Sequence, residues 1–467
     1  MTQAIAHTAT MPPVPTYALR VIDALESAGH EAWVVGGWVR DALRGGPSHD
    51  VDVTTDARWE EGARILRKAG IEVHETGTKH GTVTAVVEGK PVEVTTYRVE
   101  GSYSDQRHPD EVRFVTSVED DLARRDFTIN AMAYHPDRGL FDPFGGRHDL
   151  ELGLVRAVGD PERRFHEDAL RILRAVRFAC RLGFAIEGTT HAALTAGADS
   201  LSHVSRERIG HEMDGIVRSG RLAWAMSACP EVMVAAIPEL APMMGFDQHS
   251  PYHCLDVYGH STQVVAGVEA FSGGVASPHL RWAAFLHDIG KPHTLTIDDE
   301  GKGHFYSHPA VGAQMAHRVL RRLALPNSLE RPATALVRLH DRPYRADRRS
   351  MQRMLADLDS ACPGQARGLA FELLVLKRAD AFGKAPRYRG FAVELDRLEA
   401  VLRDTLAQQA AFRTSDLAIS GRDIIERVGL KPGPWVGETL ARCLHEVVGG
   451  RLRNSRDELL AWLARRS

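Results

Sequence analysis

The segment Ala32–Leu43, AWVVGGWVRDAL, constrains the fold of this chain more than any other. An apolar run from Ala32 to Val35 meets Gly36 and Gly37, and the apolar spacing then turns helical. This predicts a strand, a tight turn and a helix. Around it, Tyr17–Glu26 has helical periodicity ending near Gly29, and Trp59–Ala69 reads as an amphipathic helix closed by Gly70. His49–Thr54, Gly81–Glu88 and Pro91–Tyr97 read as strands. Residues 98–113 are polar and aperiodic and predict a mobile loop. The chain to about residue 150 is therefore α/β, and from Pro161 onward the spacing is overwhelmingly helical. At about 150 residues per domain the length suggests roughly three domains. Pro and Gly clusters near 238–251, 272–278 and 432–434 are the plausible boundaries.

Within the α/β part, Asp50 and Asp52 are two apart on an expected strand. Such residues share a face, so their carboxylates are expected to meet at one point. Hard oxygen ligands of this kind suit Mg²⁺. Two metals so held activate an attacking hydroxyl and stabilise a leaving pyrophosphate. Gly36 and Gly37 let the backbone approach a triphosphate at a helix start. Taken alone, a D-x-D is usually a pair of surface acids and a G-G turn only a turn; together in one α/β unit they are more specific. Glu93, in PVEVTTY, reads equally as a third carboxylate or as a solvent-facing strand residue.

Arg124-Arg125-Asp126 sets cations beside a carboxylate, a combination that binds triphosphate and a ribose hydroxyl. It also reads as a helix start capped by Asp126. In Glu167-Asp168-x-x-Arg171, Asp168 and Arg171 are expected on one helix face, supporting each other. A carboxylate and a guanidinium so placed can address a base edge, though an ordinary helical ion pair reads the same. Arg171, Arg174 and Arg177, with Arg181 beyond, form a basic stripe suited to phosphates or to a solvated face.

The motifs GGWVRD, DVDVTTDARWEEG, RRDFTINAMAY, FDPFGG and HEDALRILRAVRF, in that order, resemble the class II tRNA nucleotidyltransferases, and the match runs through RERIGHEM (206–213). The resemblance implies a polymerase-beta-like α/β head followed by an all-α neck, body and tail. It implies Asp50 and Asp52 as catalytic Mg²⁺ carboxylates, with Gly36, Gly37 and Arg40 of the first motif on the nucleotide side. It implies Arg124, Asp126 and Asn130 as ribose and triphosphate contacts, and Glu167, Asp168 and Arg171 as an element in which Asp168 and Arg171 select C and then A, with Arg174 beside them. The implied reaction is template-independent transfer of CMP and AMP from CTP and ATP to the tRNA 3′ end. Poly(A) polymerases share such a head but resemble one another in a basic segment before D-x-D, where this chain has GGPSH. The stretch GSYSDQRHPDEV looks complete, which disfavours CC-only addition and leaves A-only addition as an alternative.

The segment 250–390 is rich in histidine. His260, His287, Asp288 and Asp380, in YGHST, FLHDIGKP and KRADAFG, resemble the HD metal-dependent phosphohydrolase signature. His308 and His340 stand where some HD domains carry ligands for a second metal, and Lys291 is a candidate phosphate contact. Nitrogen and oxygen ligands together suit Mn²⁺, Fe²⁺, Co²⁺ or Ni²⁺. The contrasting reading is that this half carries the main activity, as a phosphohydrolase on nucleotides or RNA ends. SGRDIIERVGLKPGPWVGETL resembles the tail helix pair of the tRNA enzymes. The expected division is a disordered leader (1–15), a head (16–145), a neck and body that bind RNA and nucleotide (146–249), an HD domain (250–390) and a helical tail (391–467).

The remaining composition excludes more than it indicates. The five cysteines form no C-x-x-C pair, so neither a disulfide framework nor a zinc ribbon is indicated. No secretory signal and no apolar run of membrane-spanning length is visible, and a reduced, cytoplasmic setting without membrane partners is expected. A net charge of −3 does not announce a nucleic-acid binder, so RNA contact requires a local basic face.

Overall fold

The computed structural model describes residues 11–46, 50–101, 112–250, 252, 254–384, 390–408, 411–429 and 431–465. They form two compact units: one runs to Arg221 and includes Ala228–Ala236, the other holds Leu222–Ser227 and the chain from Ile237.

The first unit opens with α1 (Thr16–Ser27), which buries Tyr17, Ala18, Val21, Ile22 and Leu25, the spacing of one helix face. Next come β1 (Ala32–Val35), α2 (Gly37–Leu43), β2 (Asp52–Thr55), α3 (Trp59–Lys68), β3 (Glu72–Gly77), β4 (Thr82–Val87) and β5 (Lys90–Thr96). After them lie β6 (Arg98–Glu100), β7 (Val112–Phe114), α4 (Val118–Ala123), β8 (Ala133–His135) and β9 (Gly139–Phe141). Seven of the strands form one sheet in the order β3-β4-β5-β2-β1-β8-β9. Within it β2 and β5 run parallel and the other neighbours antiparallel. Burial alternates along β4, as in a sheet with one packed face. All four residues of β1 are buried, because this strand sits deep in the sheet. Trp33, Val35, Tyr97, Leu122, Ala131, Ala133 and Val158 make a core cluster there.

Three expectations need correction. The strand anticipated over His49–Thr54 begins only at Asp52; Asp50 precedes it and is exposed, and His49 lies outside the described residues. The loop anticipated over 98–113 carries a short ladder at its ends, Arg98 pairing with Phe114. Three-residue strands are too short to show a period; residues 102–111 lie outside the described residues. Of the leader, residues 1–10 lie outside the described residues, while Val14 is buried, so the chain is already packed before α1.

Helices follow the sheet: α5 (Gly146–Leu152), α6 (Pro161–Glu167) and α7 (Leu170–Leu182), then a helix over Arg206–Arg218. Asp160 caps α6 by accepting from Glu162 N–H, with Pro161 at its first position. Asp168 is extended (φ −142°, ψ 104°) and separates α6 from α7.

Among its described residues the second unit is helical apart from one short hairpin, Thr296–Ile297 paired with Gly303–His304. Its long helices are Val257–Phe271, Pro278–Leu286, His308–Arg322, Asn327–Leu339, Arg348–Ala361, Ala366–Gly383 and Phe391–Ala407. The terminal helices Gly421–Val428, Trp435–Val448 and Arg456–Ala464 close over a cluster that includes Ile424, Cys443 and Leu459. Among the described residues no helix is long and apolar enough to cross a membrane.

Candidate functional site

In the first unit, sheet register assembles the site. Val35, the last residue of β1, pairs with Asp52, the first of β2, and Asp52 pairs in register with Glu93 on β5. Adjacent residues of a parallel pair project to the same face, so the two carboxylates stand side by side. Gly36, with φ +70° and ψ −127°, turns the chain out of β1 into α2 in a conformation that favours glycine. A Cβ there would lie 3.1 Å from an Arg125 guanidinium nitrogen and 3.9 Å from Asp52 Oδ2. Gly36, Gly37, Asp52 and Glu93 line a cavity of about 730 Å³. Burial, followed by the charge of Glu93, pushes the Asp52 carboxyl up to about 6. A divalent cation relieves that repulsion. The expected partner of Asp52, Asp50, is exposed ahead of the strand, and its charge adds a smaller upward push on Asp52. Asp50 lies just before the strand, and Glu93, which the sequence left undecided, stands beside Asp52 in the ladder.

The second motif follows a helix instead of starting one, because α4 ends at Ala123 with Arg124 as its C-cap. Buried Asp121 accepts from Arg124 Nη2 at 2.7 Å, from Arg125 Nη2 at 3.3 Å and from Thr54 Oγ1 at 3.3 Å. Burial raises its pKa, but the two guanidinium groups outweigh this and hold it below the usual range. Asp126 is not a helix cap either. Its Oδ1 accepts from Phe127 N–H at 2.8 Å and from Asn130 Nδ2 at 3.0 Å. Its Oδ2 accepts from Arg174 Nε at 2.9 Å and Nη2 at 2.7 Å. Asn130 Oδ1 accepts from Arg40 Nη1 at 2.7 Å, so Arg40, Asn130, Asp126 and Arg174 form one chain across the cavity wall. Burial pushes Asp126 up, yet Arg174 and Asn130 bring it down to about 2.

Asp168 and Arg171 both line the cavity, but they do not share a helix. Asp168, in the break, accepts from Arg208 Nη2 at 2.8 Å and from Leu170 N–H at 3.0 Å. Arg171 Nη1 donates to Glu167 Oε2 at 2.7 Å, and its Nη2 donates to Arg124 O at 3.2 Å. Each is oriented by a neighbour outside the anticipated pair. The basic stripe also divides: Arg174 is held by Asp126 and Arg177 by buried Glu212, while Arg181 is exposed at the cavity. Asp121, Arg208 and Glu212 were missed in the sequence. Asp121 stands three residues before Arg124, an ion-pair spacing on a helix; Arg208 and Glu212 sit within the quoted RERIGHEM and carried no local signal.

In the second unit, separate helices converge on one buried cluster. His260 belongs to the helix Val257–Phe271, and His287 and His340 cap the ends of Pro278–Leu286 and Asn327–Leu339. His308 opens its helix and Asp380 lies late in Ala366–Gly383. His260 Nε2 lies 3.1 Å from Asp380 Oδ1 and 3.5 Å from Asp288 Oδ2, and His287 Nε2 3.2 Å from Asp288 Oδ2. Asp288 Oδ1 is 3.5 Å from both His308 Nε2 and His340 Nε2. Two ligand-type groups thus share Asp288: one with His260, His287 and Asp380, one with His308 and His340. All six sequence candidates are brought together.

Their hydrogen bonds point the same way. The Nδ1 atoms of His287, His308 and His340 lie 2.9, 2.8 and 2.7 Å from the carbonyls of Ala284, Phe305 and Val337. A neutral imidazole that donates from Nδ1 presents a lone pair at Nε2. His308 and His340 then aim lone pairs at each other across 3.3 Å. His287 Nε2 and Asp288 Oδ1 are buried without a hydrogen-bond partner, while Asp288 Oδ2 faces the Lys291 ammonium. Such orphaned groups require an occupant, and carbonyl-anchored histidines are the usual outer arrangement of metal ligands. The donor set fits a divalent metal. Gly290 permits the packing: a Cβ there would fall 2.5 Å from His308 O. Lys291, a candidate phosphate contact, is largely buried at the cavity wall, with Nζ 2.7 Å from Asp288 Oδ2 and 3.0 Å from Gln248 Oε1. A cavity of about 320 Å³ opens onto Asp288, His308, His340 and Asp380.

Comparison with known proteins matches four successive stretches. Residues 32–156 match the poly A polymerase head domain and 183–228 the probable RNA and SrmB-binding site of polymerase A. Residues 252–384 match the HD domain and 387–463 the putative tRNA nucleotidyltransferase domain 2. The chain is 35% identical over 459 residues to the CCA-adding enzyme of Geobacillus stearothermophilus, covering 98% of each. It is 32% identical over 448 residues to that of Bacillus velezensis, covering 96% of this chain and 97% of the other. The structure of the Bacillus stearothermophilus CCA-adding enzyme in complex with CTP superposes with a TM-score of 0.70 at 32% identity, covering 98% of both chains. The fold is also shared with the Thermotoga maritima CCA-adding enzyme complexed with tRNA, with a TM-score of 0.59 at 20% identity over 97% of this chain and 96% of that one.

Proposed function

This chain belongs to the CCA-adding enzymes, and we propose that its nucleotidyl transfer runs on the Asp52 corner of the first unit while the histidine cluster of the second holds a separate resident metal. The enzyme is a nucleotidyltransferase that adds CMP and AMP from CTP and ATP to the 3′ end of tRNA and releases pyrophosphate. The observation that carries the site is the in-register placement of Asp52 beside Glu93, at a glycine turn, on the cavity that Asp168 and Arg171 also line.

In this reading Asp50 and Asp52, with Glu93 next to Asp52, hold Mg²⁺. The metal supplies activation of the tRNA 3′-hydroxyl and charge neutralisation on the pyrophosphate. Gly36 and Gly37 leave room for the triphosphate, and Arg124 and Arg125, aligned by Asp121, provide cations for it. Asp126 and Asn130, braced by Arg174 and Arg40, present acceptors to the ribose. Asp168 and Arg171, braced by Arg208 and Glu167, address the base edge. The proposed division is head (16–145), neck and body (146–249), HD domain (250–390) and tail (391–467), with the cytoplasm as the setting. The test is incubation with tRNAs ending at the discriminator base, at C and at CC, with each NTP alone and mixed, followed by sequencing of the ends. CCA on all three supports the reading, addition only to CC-ended tRNA indicates A-only activity, and homopolymer tails indicate poly(A) synthesis.

The orphaned Asp288 and His287 atoms favour a second activity. We assign it as a phosphohydrolase, using Mn²⁺, Fe²⁺, Co²⁺ or Ni²⁺, on cyclic or terminal phosphates of damaged RNA ends. Metal-stripped protein reloaded with each ion and offered 2′,3′-cyclic nucleotides tests it; no hydrolysis with any ion, and no metal in protein purified without chelator, would make the cluster a scaffold.

A further inference from the structure

The phosphohydrolase reading leaves open what distinguishes one phosphate from another at the mouth of the cavity, and the residues there are not metal ligands. We propose that the stacked rings of His304 and Tyr306 form a platform for a nucleobase, so that the site selects nucleoside phosphates over phosphates that carry no base. The proposal rests on the phosphohydrolase reading for its turnover but not for its binding.

The two rings are parallel within 6°, with centroids 5.4 Å apart. Both line the same cavity as Asp288, His308 and Asp380. Tyr306 is 72% exposed, so most of its ring is open to solvent. A large aromatic ring left in water beside a polar cavity gains by covering its open surface, and base–aromatic stacking does so without regard to which base is present. The platform is built before any ligand arrives. His304 Nε2 is 2.7 Å from Asp298 Oδ2, and Asp298 Oδ1 accepts from the Lys302 backbone N–H at 2.9 Å, which fixes the hairpin turn and with it the ring plane. On the other side Ser307 has φ +67°, a left-handed conformation uncommon outside glycine. That reversal parts Tyr306 from His308, two residues on: Tyr306 is exposed while His308 enters the metal cluster. Strain held at such a junction is characteristic of functional sites. Lys302, on the same rim, adds a cation for the phosphate. The cavity, at about 320 Å³, is of the size that takes a nucleotide-sized ligand. In the reaction it would serve, water oxygen joins phosphorus, one cyclic P–O bond breaks, and the freed ribose oxygen takes the proton.

The test compares two five-membered cyclic phosphodiesters, adenosine 2′,3′-cyclic phosphate and glycerol 1,2-cyclic phosphate, on the full chain reloaded with metal. The quantity read is the ratio of their kcat/KM values. Tyr306→Ala is expected to lower the ratio by about tenfold or more, with Tyr306→Trp restoring it; a ratio unchanged in Tyr306→Ala overturns the platform. Binding is read separately, as the Tyr306-dependent part of the quenching of 1,N6-ethenoadenosine 2′-monophosphate, the first unit's share being common to wild type and variants. If the wild type hydrolyses neither diester, the phosphohydrolase reading falls and the quenching decides the platform. That part of the quenching present in wild type and Tyr306→Trp but lost in Tyr306→Ala sustains it, and equal signals in wild type and Tyr306→Ala overturn it.

Discussion

The two carboxylate-bearing sites differ in how their charges are compensated. Around Asp52 and Glu93 the acceptors are oxygens on an open cavity, ringed by guanidinium groups that other carboxylates already hold: Arg124 by Asp121, Arg171 by Glu167, Arg174 by Asp126. Around Asp288 the donors are four imidazoles and a second carboxylate, and the cluster is nearly sealed: His260 and His287 are 0% exposed and Asp288 1%. An open oxygen site suits a cation that arrives and leaves with a triphosphate, because Mg²⁺ prefers carboxylates plus substrate phosphates. A closed nitrogen-rich site suits a cation that stays. Substitutions can test whether the two are as independent as this contrast says.

The largest effect is expected for Asp52→Ala, which removes the carboxylate that faces Glu93. Nucleotide addition should fall by at least about a thousandfold, in line with the loss of a charge that positions metal and transition state, while tRNA binding and the metal content of the second unit stay as in wild type. Near-normal incorporation would remove Asp52 from the site. Asp288→Ala is the converse. Metal analysis should find the histidine cluster emptied and cyclic phosphodiester hydrolysis gone, with CCA addition changed by less than about twofold, the scale of a remote substitution. A parallel loss of addition would mean that the second site supports the first.

Acid sharpens the contrast more mildly. Asp126 has a folded pKa of about 2, below its unfolded value near 3.9. Its charge therefore stabilises the fold above pH 4, and that contribution is lost as pH falls through 2. Asp126→Asn should reduce the stability gained between pH 2 and pH 5 by on the order of 2 kcal/mol, read as a narrower gap between thermal midpoints at those two pH values. An unaltered gap would show that the Arg40–Asn130–Asp126–Arg174 chain does not depend on that charge. The smallest effect belongs to base choice. Losing a bidentate base contact costs about 1–3 kcal/mol, and since Arg171 is anchored by Glu167 we expect the lower end for Arg171→Ala, near a tenfold loss of CTP and ATP selection over UTP and GTP. An equal fall with all four nucleotides would make Arg171 a brace for the α6–α7 break.

What was readable in advance follows the range of the interactions. Elements set by local spacing, such as β1, α3 and β4, fall within a residue or two of their expected ends. The six residues of the histidine cluster were also readable, because HDIGKP is a contiguous segment that announces the more distant ligands. Partnerships across long separations were not. Glu93 gained its meaning only from the parallel ladder with β2, and Asp168 turned from Arg171 to Arg208, 40 positions away. The helix cap expected at Asp126 failed for the same reason: Arg174, from a later helix, offered two charged donors where a cap offers one neutral amide.

The pairing of Asp52 with Glu93 makes the backbone a ruler. Parallel strands lie about 4.8 Å apart whatever side chains they carry, so the gap between these carboxylates is set by peptide hydrogen bonds and is indifferent to the length of the chain connecting β2 to β5. A slip of β5 by one residue would bring Val94 or Val92 beside Asp52 and turn Glu93 to the opposite face. The outline of the sheet would survive such a slip almost unaltered, while the instrument that measures the distance for chemistry would be miscalibrated by a whole division.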